Sequence, residues 1–421
     1  MLKHKRFSIL LILFLVFSMS PNIFAASSGT ANLPTILGRA AITVDVATGE
    51  IIYAKNVDQQ MYPASTTKLM TALLLAENKG KTDQLKYTQS AKAQPEYSLN
   101  VNLHTIGLDE TMSSADVMDG LLLYSGNDMA YMIADNVGVN STNFSKMMND
   151  KAAKLKMTGT HFITPNGLHR PDHYTTPYDM SILARTAFLN PWVKETMGKK
   201  QSTISTSTGT TFKIENRNKL LGINGCIAGK TGYTSQAGKC LVAFFERNGR
   251  EVMGVVMGSA YDANDTAVYT DMSKIIDYSY SLSPTVLHAS NSVIKTETLK
   301  YKPLGFFGPE KTINVPIVVK DDVRYYSNEA NKKDLKESIT LTKVSVSTLS
   351  GNKSIGTLAL TEKGTVKTYK LYSTVSKGTL AKNNIPIYLI AAVIFILIIF
   401  GIFFIIRTIN LRKRKNRRNY Y

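Results

Sequence analysis

Apolar side chains at Leu69, Ala72, Leu73 and Ala76 recur with i, i+3, i+4, i+7 spacing, which predicts a helix from Thr66 to Ala76. Pro63 suits its entry, because a missing N–H is harmless in a first turn. Upstream, Ala40 to Val46 and Ile51 to Lys55 flank Ala47-Thr48-Gly49-Glu50, a β-hairpin with its turn centred on Gly49. Downstream the chain turns α-rich with few strand signals. Ser113-Ser114-Ala115-Asp116 opens a helix through Val117, Leu121 and Leu122 in the manner of a capping box. A second helix, Met129 to Val137, begins just past Tyr124-Ser125-Gly126-Asn127, where the glycine marks a tight connection. Residues 161–179, rich in Pro, Asn, Gly and His, read as an ordered loop before a helix from Met180 to Phe188.

From Ile227 the period returns to that of strands: Ile227 to Thr234, a turn through Gln236 and Gly238, Cys240 to Phe245, an Asn248-Gly249 hairpin, and Val252 to Met257. A helix from Asn264 to Tyr280 closes the unit before Pro284. Strands thus open and close one domain while helices fill its middle, an α+β arrangement around a mostly antiparallel sheet. Between 285 and 380, alternating segments at Thr312 to Val319, Ser338 to Leu349 and Thr365 to Tyr372 indicate a small all-β domain without a nucleophile-and-base pattern, suited to spacing or docking.

The two ends change the picture. Lys3, Lys5 and Arg6, the apolar run Phe7 to Phe17, and Ile23-Phe24-Ala25 read as a signal peptide over residues 1–25. Ile385 to Ile406 carries no charge and is long enough to be a transmembrane helix across ~30 Å of hydrocarbon. The tail from Arg407 to Tyr421 is basic and, by its charge, cytoplasmic, so residues 26–284 and 285–380 are expected outside the cell, held by a single-pass anchor in the cell membrane. The formal charge is +19, of which the leader holds three positives and the tail seven, leaving +9 for residues 26–406. A moderately basic exported body suits anionic cell-surface polymer, and nothing suggests nucleic acid as a partner. Cys226 and Cys240 form neither a disulfide framework nor a metal-ligand spacing with the few histidines, so no metal or other cofactor is expected.

The candidate chemistry sits at the start of the first helix. Ser65 and Lys68 are three apart and share a face, and an amine can activate a hydroxyl nucleophile if its own charge is suppressed. Alone, that spacing favours a capping serine and an exposed lysine. Three elements in order change the odds: Ser65-Thr66-Thr67-Lys68, Ser125-Gly126-Asn127 and Lys230-Thr231-Gly232, placed on helix, inter-helix loop and strand. On these, and on Tyr124 to Asp128, His161-Phe162, Pro165-Asn166-Gly167-Leu168, Gly229 to Thr234 and Ala237-Gly238, residues 35–282 closely resemble the exported serine D-alanyl-D-alanine carboxypeptidases, the low-molecular-mass penicillin-binding proteins.

The resemblance implies a penicillin-binding/transpeptidase-like domain, an antiparallel five-stranded sheet with a helical subdomain. It also implies removal of the terminal D-Ala from a peptidoglycan stem peptide ending in D-Ala-D-Ala, with β-lactams as covalent inhibitors. Ser65 would attack the acyl carbon, neutral Lys68 would take its proton, and Ser125 would relay a proton to the leaving amine. Asn127 would orient the substrate amide, Lys230 and Thr231 would bind its terminal carboxylate, and Gly232 would let substrate backbone lie against the strand. By the same analogy the N–H groups of Ser65 and Tyr233 form an oxyanion hole.

Three rivals share some of these features. A serine β-lactamase needs a deacylating carboxylate, usually in E-x-x-L-N, and no such motif lies between Asn127 and Lys230. A transpeptidase differs only in its acceptor. A non-catalytic wall-binding protein would be expected to have lost Ser65 or Lys68. A Ser-His-Asp hydrolase is disfavoured, because no G-x-S-x-G surrounds a serine. Finally, a turn at Thr234 to Ala237 would set Tyr233 against Gly238 and Cys240 against Thr231. Cys226 would then lie roughly 16 Å away, leaving two free, buried thiols.

Overall fold

The computed structural model describes residues 32–349 and 353–418. The leader expected over residues 1–25 lies outside them. Strands β1 (Ala40–Asp45) and β2 (Ile51–Lys55) form the first hairpin, with Gly49 in its turn at φ +80°. A helical region follows. It contains Lys68–Asn78, Asn127–Gly138, Ser141–Lys154 and Pro177–Leu189, and a small ribbon of β3 (Gln84–Lys86) and β4 (Thr111–Ser113). The chain next makes a second ribbon, β5 (Gln201–Ser205) with β6 (Thr211–Glu215), then β7 (Cys226–Thr234), β8 (Gly238–Arg247) and β9 (Arg250–Ser259). The principal sheet is antiparallel in the order β2-β1-β9-β8-β7, so β7 is an edge strand.

Both faces of this sheet are covered, which explains its nearly unbroken apolar strands. Val242, Phe244, Met253 and Val255 join the core shared with the helical region, where Phe188 stacks on Phe244 with centroids 4.0 Å apart. Their neighbours Leu241, Ala243, Phe245, Val252 and Val256 point the other way, against Val268, Met272, Ile275 and Ile276 of the helix Ala267–Ser281. Alternation of period two therefore feeds two cores from one strand.

The remainder is β-rich, as expected. β10 (Thr285–His288) pairs with β13 (Val323–Tyr325). A second five-stranded sheet has the order β11-β12-β16-β15-β14, from β11 (Val293–Tyr301), β12 (Lys311–Val319), β14 (Lys336–Leu341), β15 (Ser354–Glu362) and β16 (Thr365–Ser373). It is fastened to the first sheet by polar contacts. Asn331 and Asn328 each donate to the carbonyl of Ile51, at 3.0 and 2.8 Å. At the β15–β16 turn, Lys363 meets Asp58 at 2.8 Å and lies over the Tyr178 ring, while Lys367 bridges Glu362 and Glu50. The helix Ile385–Arg418 follows, with apolar residues 385–406 exposed; it is long and apolar enough to cross a membrane.

Three readings need correction. The first helical turn is 3-10, Ala64–Thr67, and the α-helix starts at Lys68. Ser338 to Leu349 is a strand only to Leu341, because Ser345 and Thr348 hydrogen-bond each other's backbone and close a turn. The β7–β8 register is one residue off the expectation: Thr234 faces Gly238 and Cys240 faces Gly232. The loop has three residues, not four, because Gly238 adopts φ +71° and Thr234 Oγ1 accepts from the Ala237 N–H. The slip leaves the thiols apart, with Cys226 opposite Phe245 at the far end of the ladder. Both are free and buried, and burial pushes each thiol up to about 11. Thiol titration of denatured, non-reduced protein should therefore count two reacting groups; a count of zero would contradict this register.

Candidate active site

Ser65 and Lys68 belong to the 3-10 turn and its exit. With three residues per turn, i and i+3 eclipse one another, a closer alignment than an α-helix gives. The Lys68 amine nitrogen lies 3.0 Å from Ser65 Oγ. Its other partners are Asn127 Oδ1 at 2.9 Å and the Asn166 carbonyl at 2.9 Å, and the side chain is fully buried. None of these partners is a carboxylate. Burial holds the amine well below the usual lysine range, and the neighbouring Lys230 and Arg217 push it further in that direction.

The turn is held from behind by residues 161–176. Gly167, at φ +80°, lies so close that an added Cβ would collide with the Ala64 carbonyl oxygen. Thr71 Oγ1 donates to the Pro165 carbonyl at 2.6 Å. His173 Nδ1 accepts from the Ile163 and Thr164 N–H groups, so Nε2 carries the proton and donates to Thr67 Oγ1 at 2.9 Å. Burial lowers this histidine to about 3, which keeps it neutral in that role.

Ser125 follows a π-turn, Gly120–Tyr124, and takes a left-handed φ of 73°. Its Oγ accepts from Lys230 Nζ at 2.9 Å, and Lys230 also donates to the Thr231 carbonyl. Asn127 is braced by its Nδ2 on the Glu96 carbonyl at 2.8 Å. Next to it, the buried Asp128 carboxylate turns away, accepting from the Asn100 and Met129 N–H groups and the Tyr87 hydroxyl. Gly232 packs on the nucleophile's turn; a Cβ there would sit 2.9 Å from the Ser65 nitrogen. The structure thus gathers all eight expected residues. Ser65, Ser125, Asn127, Thr231, Gly232 and Tyr233 line a single cavity of about 630 Å³, with Lys68 and Lys230 buried behind it.

Sequence reasoning missed several residues here. The Asn166 carbonyl is bonded to Lys68, although only its motif had drawn notice. Arg217 lines the cavity with its guanidinium 4.9 Å from the Tyr97 ring centre and 4.7 Å from that of Tyr124. It is steadied by its neighbours, Asn216 reaching the Met197 and Lys199 carbonyls and Asn218 reaching Cys226 Sγ. The β5–β6 ribbon contributes Lys213 and Glu215 to the rim; the alternation Phe212, Ile214 after Gly209 was its visible signal. The other carboxylate at the cavity, Asp265, is paired with Lys239 and Lys219.

The model of the family described as D-alanyl-D-alanine carboxypeptidase, peptidase S11, matches residues 27–261. The chain belongs to that family. It is 28% identical over 371 residues to the D-alanyl-D-alanine carboxypeptidase DacF of Bacillus subtilis, covering 85% of this chain and 90% of that one. Among solved structures it is similar to a D-alanyl-D-alanine carboxypeptidase of Mycobacterium tuberculosis, with a TM-score of 0.57 and 26% identity over 61% of this chain and 96% of the other. It is also similar to the Streptomyces K15 DD-transpeptidase, with a TM-score of 0.53 and 29% identity over 59% of this chain and 99% of that one. The penicillin-binding fold expected from the sequence is thereby shown, and as a D-alanyl-D-alanine carboxypeptidase family member the chain is a serine peptidase.

For this carboxypeptidase, the buried lysines make stability depend on pH. Burial, with Arg217 adding to it, lowers Lys230 to about 7, against ~10.4 for an unfolded lysine. Above about pH 7 the unfolded chain still binds a proton that the folded chain has shed, so stability rises with pH in that range. Between about pH 7 and 8.5, wild type should gain on the order of 1–2 kcal/mol over Lys230→Met, read from urea unfolding. Parallel pH courses would show that Lys230 stays charged in the fold.

Proposed function

We propose that this protein removes the terminal D-Ala from peptidoglycan stem peptides through an acyl-enzyme on Ser65. The observation that carries the reading is the uncompensated, buried Lys68 amine hydrogen-bonded to the Ser65 hydroxyl. A neutral amine accepts the hydroxyl proton as Oγ attacks the carbonyl carbon. The backbone N–H groups of Ser65 and Tyr233 receive the oxyanion, a contribution of about 3 kcal/mol per donor. Ser125, whose oxygen accepts from Lys230, is free to donate its own proton and relays one to the leaving amine. Asn127 orients the substrate amide while its Oδ1 holds Lys68. Water then takes the place of the departed D-Ala, with Lys68 again as base.

The terminal carboxylate of the substrate belongs with Lys230 and Thr231. A lysine at about 7 regains its proton when an anion arrives, which makes the site selective for a free carboxyl end. The free edge of β7 offers the substrate backbone a strand to lie along, and Gly232 admits it. Against Lys68, where a hydrolytic β-lactamase would need a carboxylate, stands the Asn166 carbonyl. A β-lactam adduct should therefore persist. Transfer to an amine instead of water is the second reading, favoured by the likeness to a DD-transpeptidase.

The test is direct. Purified enzyme should release D-alanine from a D-Ala-D-Ala pentapeptide and form a long-lived penicillin adduct at Ser65 by mass spectrometry. Ser65→Ala should abolish both. Lys68→Arg, charged at all working pH, should slow acylation ~10²- to 10⁴-fold. No adduct, or one on another residue, would sink the assignment, and amine acceptors added to the assay separate hydrolysis from transfer.

The body is assigned to the outside of the cell and the basic tail to the cytoplasm, on the charge following residues 385–406. Protease added to wall-stripped cells should digest the catalytic domain and spare the tail. Protection of the catalytic domain would reverse the topology.

A further inference from the structure

The hairpin of β11 and β12 ends in a loop, residues 302–310, with the sequence Lys-Pro-Leu-Gly-Phe-Phe-Gly-Pro-Glu. Phe306 is 92% exposed and Phe307 77% exposed, and Leu304 is partly exposed beside them. The exposure is built in rather than loose. Leu304 bridges Phe307, and Gly305 and Gly308 take φ of +77° and +91°, so a tight turn presents both rings outward. Two adjacent phenylalanines on a turn of this kind are an exposed apolar patch that the fold itself leaves uncovered.

The fold fixes where this loop sits. The last ladder pair before it is Tyr301 with Lys311. Both side chains hold Asn384, the residue preceding the membrane-length helix: Lys311 Nζ donates to its Oδ1 at 3.0 Å, and its Nδ2 donates to the Tyr301 hydroxyl at 2.8 Å. The short helix Lys377–Asn383 runs along the hairpin toward the loop. Its Leu380 packs with Leu299 and Val315, and Asn384, one turn on, reaches the ladder's end. The loop and the start of the apolar helix therefore share one end of the β-rich region. The charges around the rings are Lys300, Lys302 and Lys311 against Glu310, which lies 3.7 Å from Lys300.

We infer that residues 302–310 form a second membrane contact, with Phe306 and Phe307 entering the interfacial zone of the leaflet from which the spanning helix emerges. Aromatic rings suit that zone, and the surplus of lysines suits anionic headgroups. The inference rests on the reading of 385–406 as a membrane span.

The experiment uses the full chain in nanodiscs of phosphatidylglycerol and phosphatidylethanolamine. Phe306→Cys and, separately, Gly401→Cys are labelled with an NBD fluorophore in the native protein, where Cys226 and Cys240 are buried. The Phe306 probe should shift to shorter wavelength and lose emission to shallow doxyl-lipid, and the Gly401 probe should lose it to deep doxyl-lipid. A quenched Gly401 probe with an unquenched Phe306 probe overturns the loop contact alone. An unquenched Gly401 probe overturns the membrane reading beneath it. Because the label is itself apolar, hydrogen exchange of the 302–310 amides is the second readout. It should be slower in wild type than in F306S/F307S in the same nanodiscs, and equal rates would overturn the contact.

Discussion

A lysine amine taken fully out of water with no carboxylate beside it is the constraint on which the catalytic domain turns. Burial disfavours the charged form there, and an amine whose charge is suppressed can serve as a base. Everything nearby serves to keep Lys68 dry yet hydrogen-bonded. Asn127 Oδ1 and the Asn166 carbonyl are neutral acceptors that hold the nitrogen without restoring its charge. Asp128, a buried acid close by, spends its oxygens on backbone N–H groups. Lys230 and Arg217 face the same space and push the Lys68 amine further the same way.

That arrangement has a structural cost, visible as backbone in unusual conformations around the nucleophile. Ala64 has φ of 47° and Ser125 of 73°, both non-glycine residues in the left-handed region. They are kept there by what surrounds them: the Gly167 turn lying on Ala64, and the Gly120–Tyr124 π-turn running into Ser125. Neutral His173, buried and bonded to Thr67, belongs to the same brace. His173 therefore holds this loop against the nucleophile's turn.

Much of this was legible in the chain, and the exceptions have physical causes. The first hairpin, β8 and β9 follow from short apolar runs of strand length bounded by turn signals at Gly49 and Asn248-Gly249. The spacing of Ser65 and Lys68 pointed to a shared face, but the 3-10 geometry that eclipses them, in which the Thr66 N–H and hydroxyl both bond back to the Pro63 carbonyl, is a local detail that apolar spacing does not report. The β7–β8 register failed by one residue because a single left-handed glycine shortened the loop. β5 was hard to see because Gln201–Ser205 carries a single apolar residue, Ile204, and its pairing with β6 completes it. Arg217 could not be found from spacing at all. It sits over two tyrosine rings, and the rings come from distant parts of the sequence.

The polar clamp between the two sheets has a consequence of another kind. Asn328, Asn331, Lys363 and Lys367 tie the β-rich region to the β1–β2 hairpin, and Asn384 ties it in turn to the base of the apolar helix. Along that line every joint is bonded, so the catalytic cavity and the apolar helix are connected through a braced β-rich region and not by a bare linker. The second sheet thus acts as a ruler, setting one distance between the nucleophile and the base of the apolar helix.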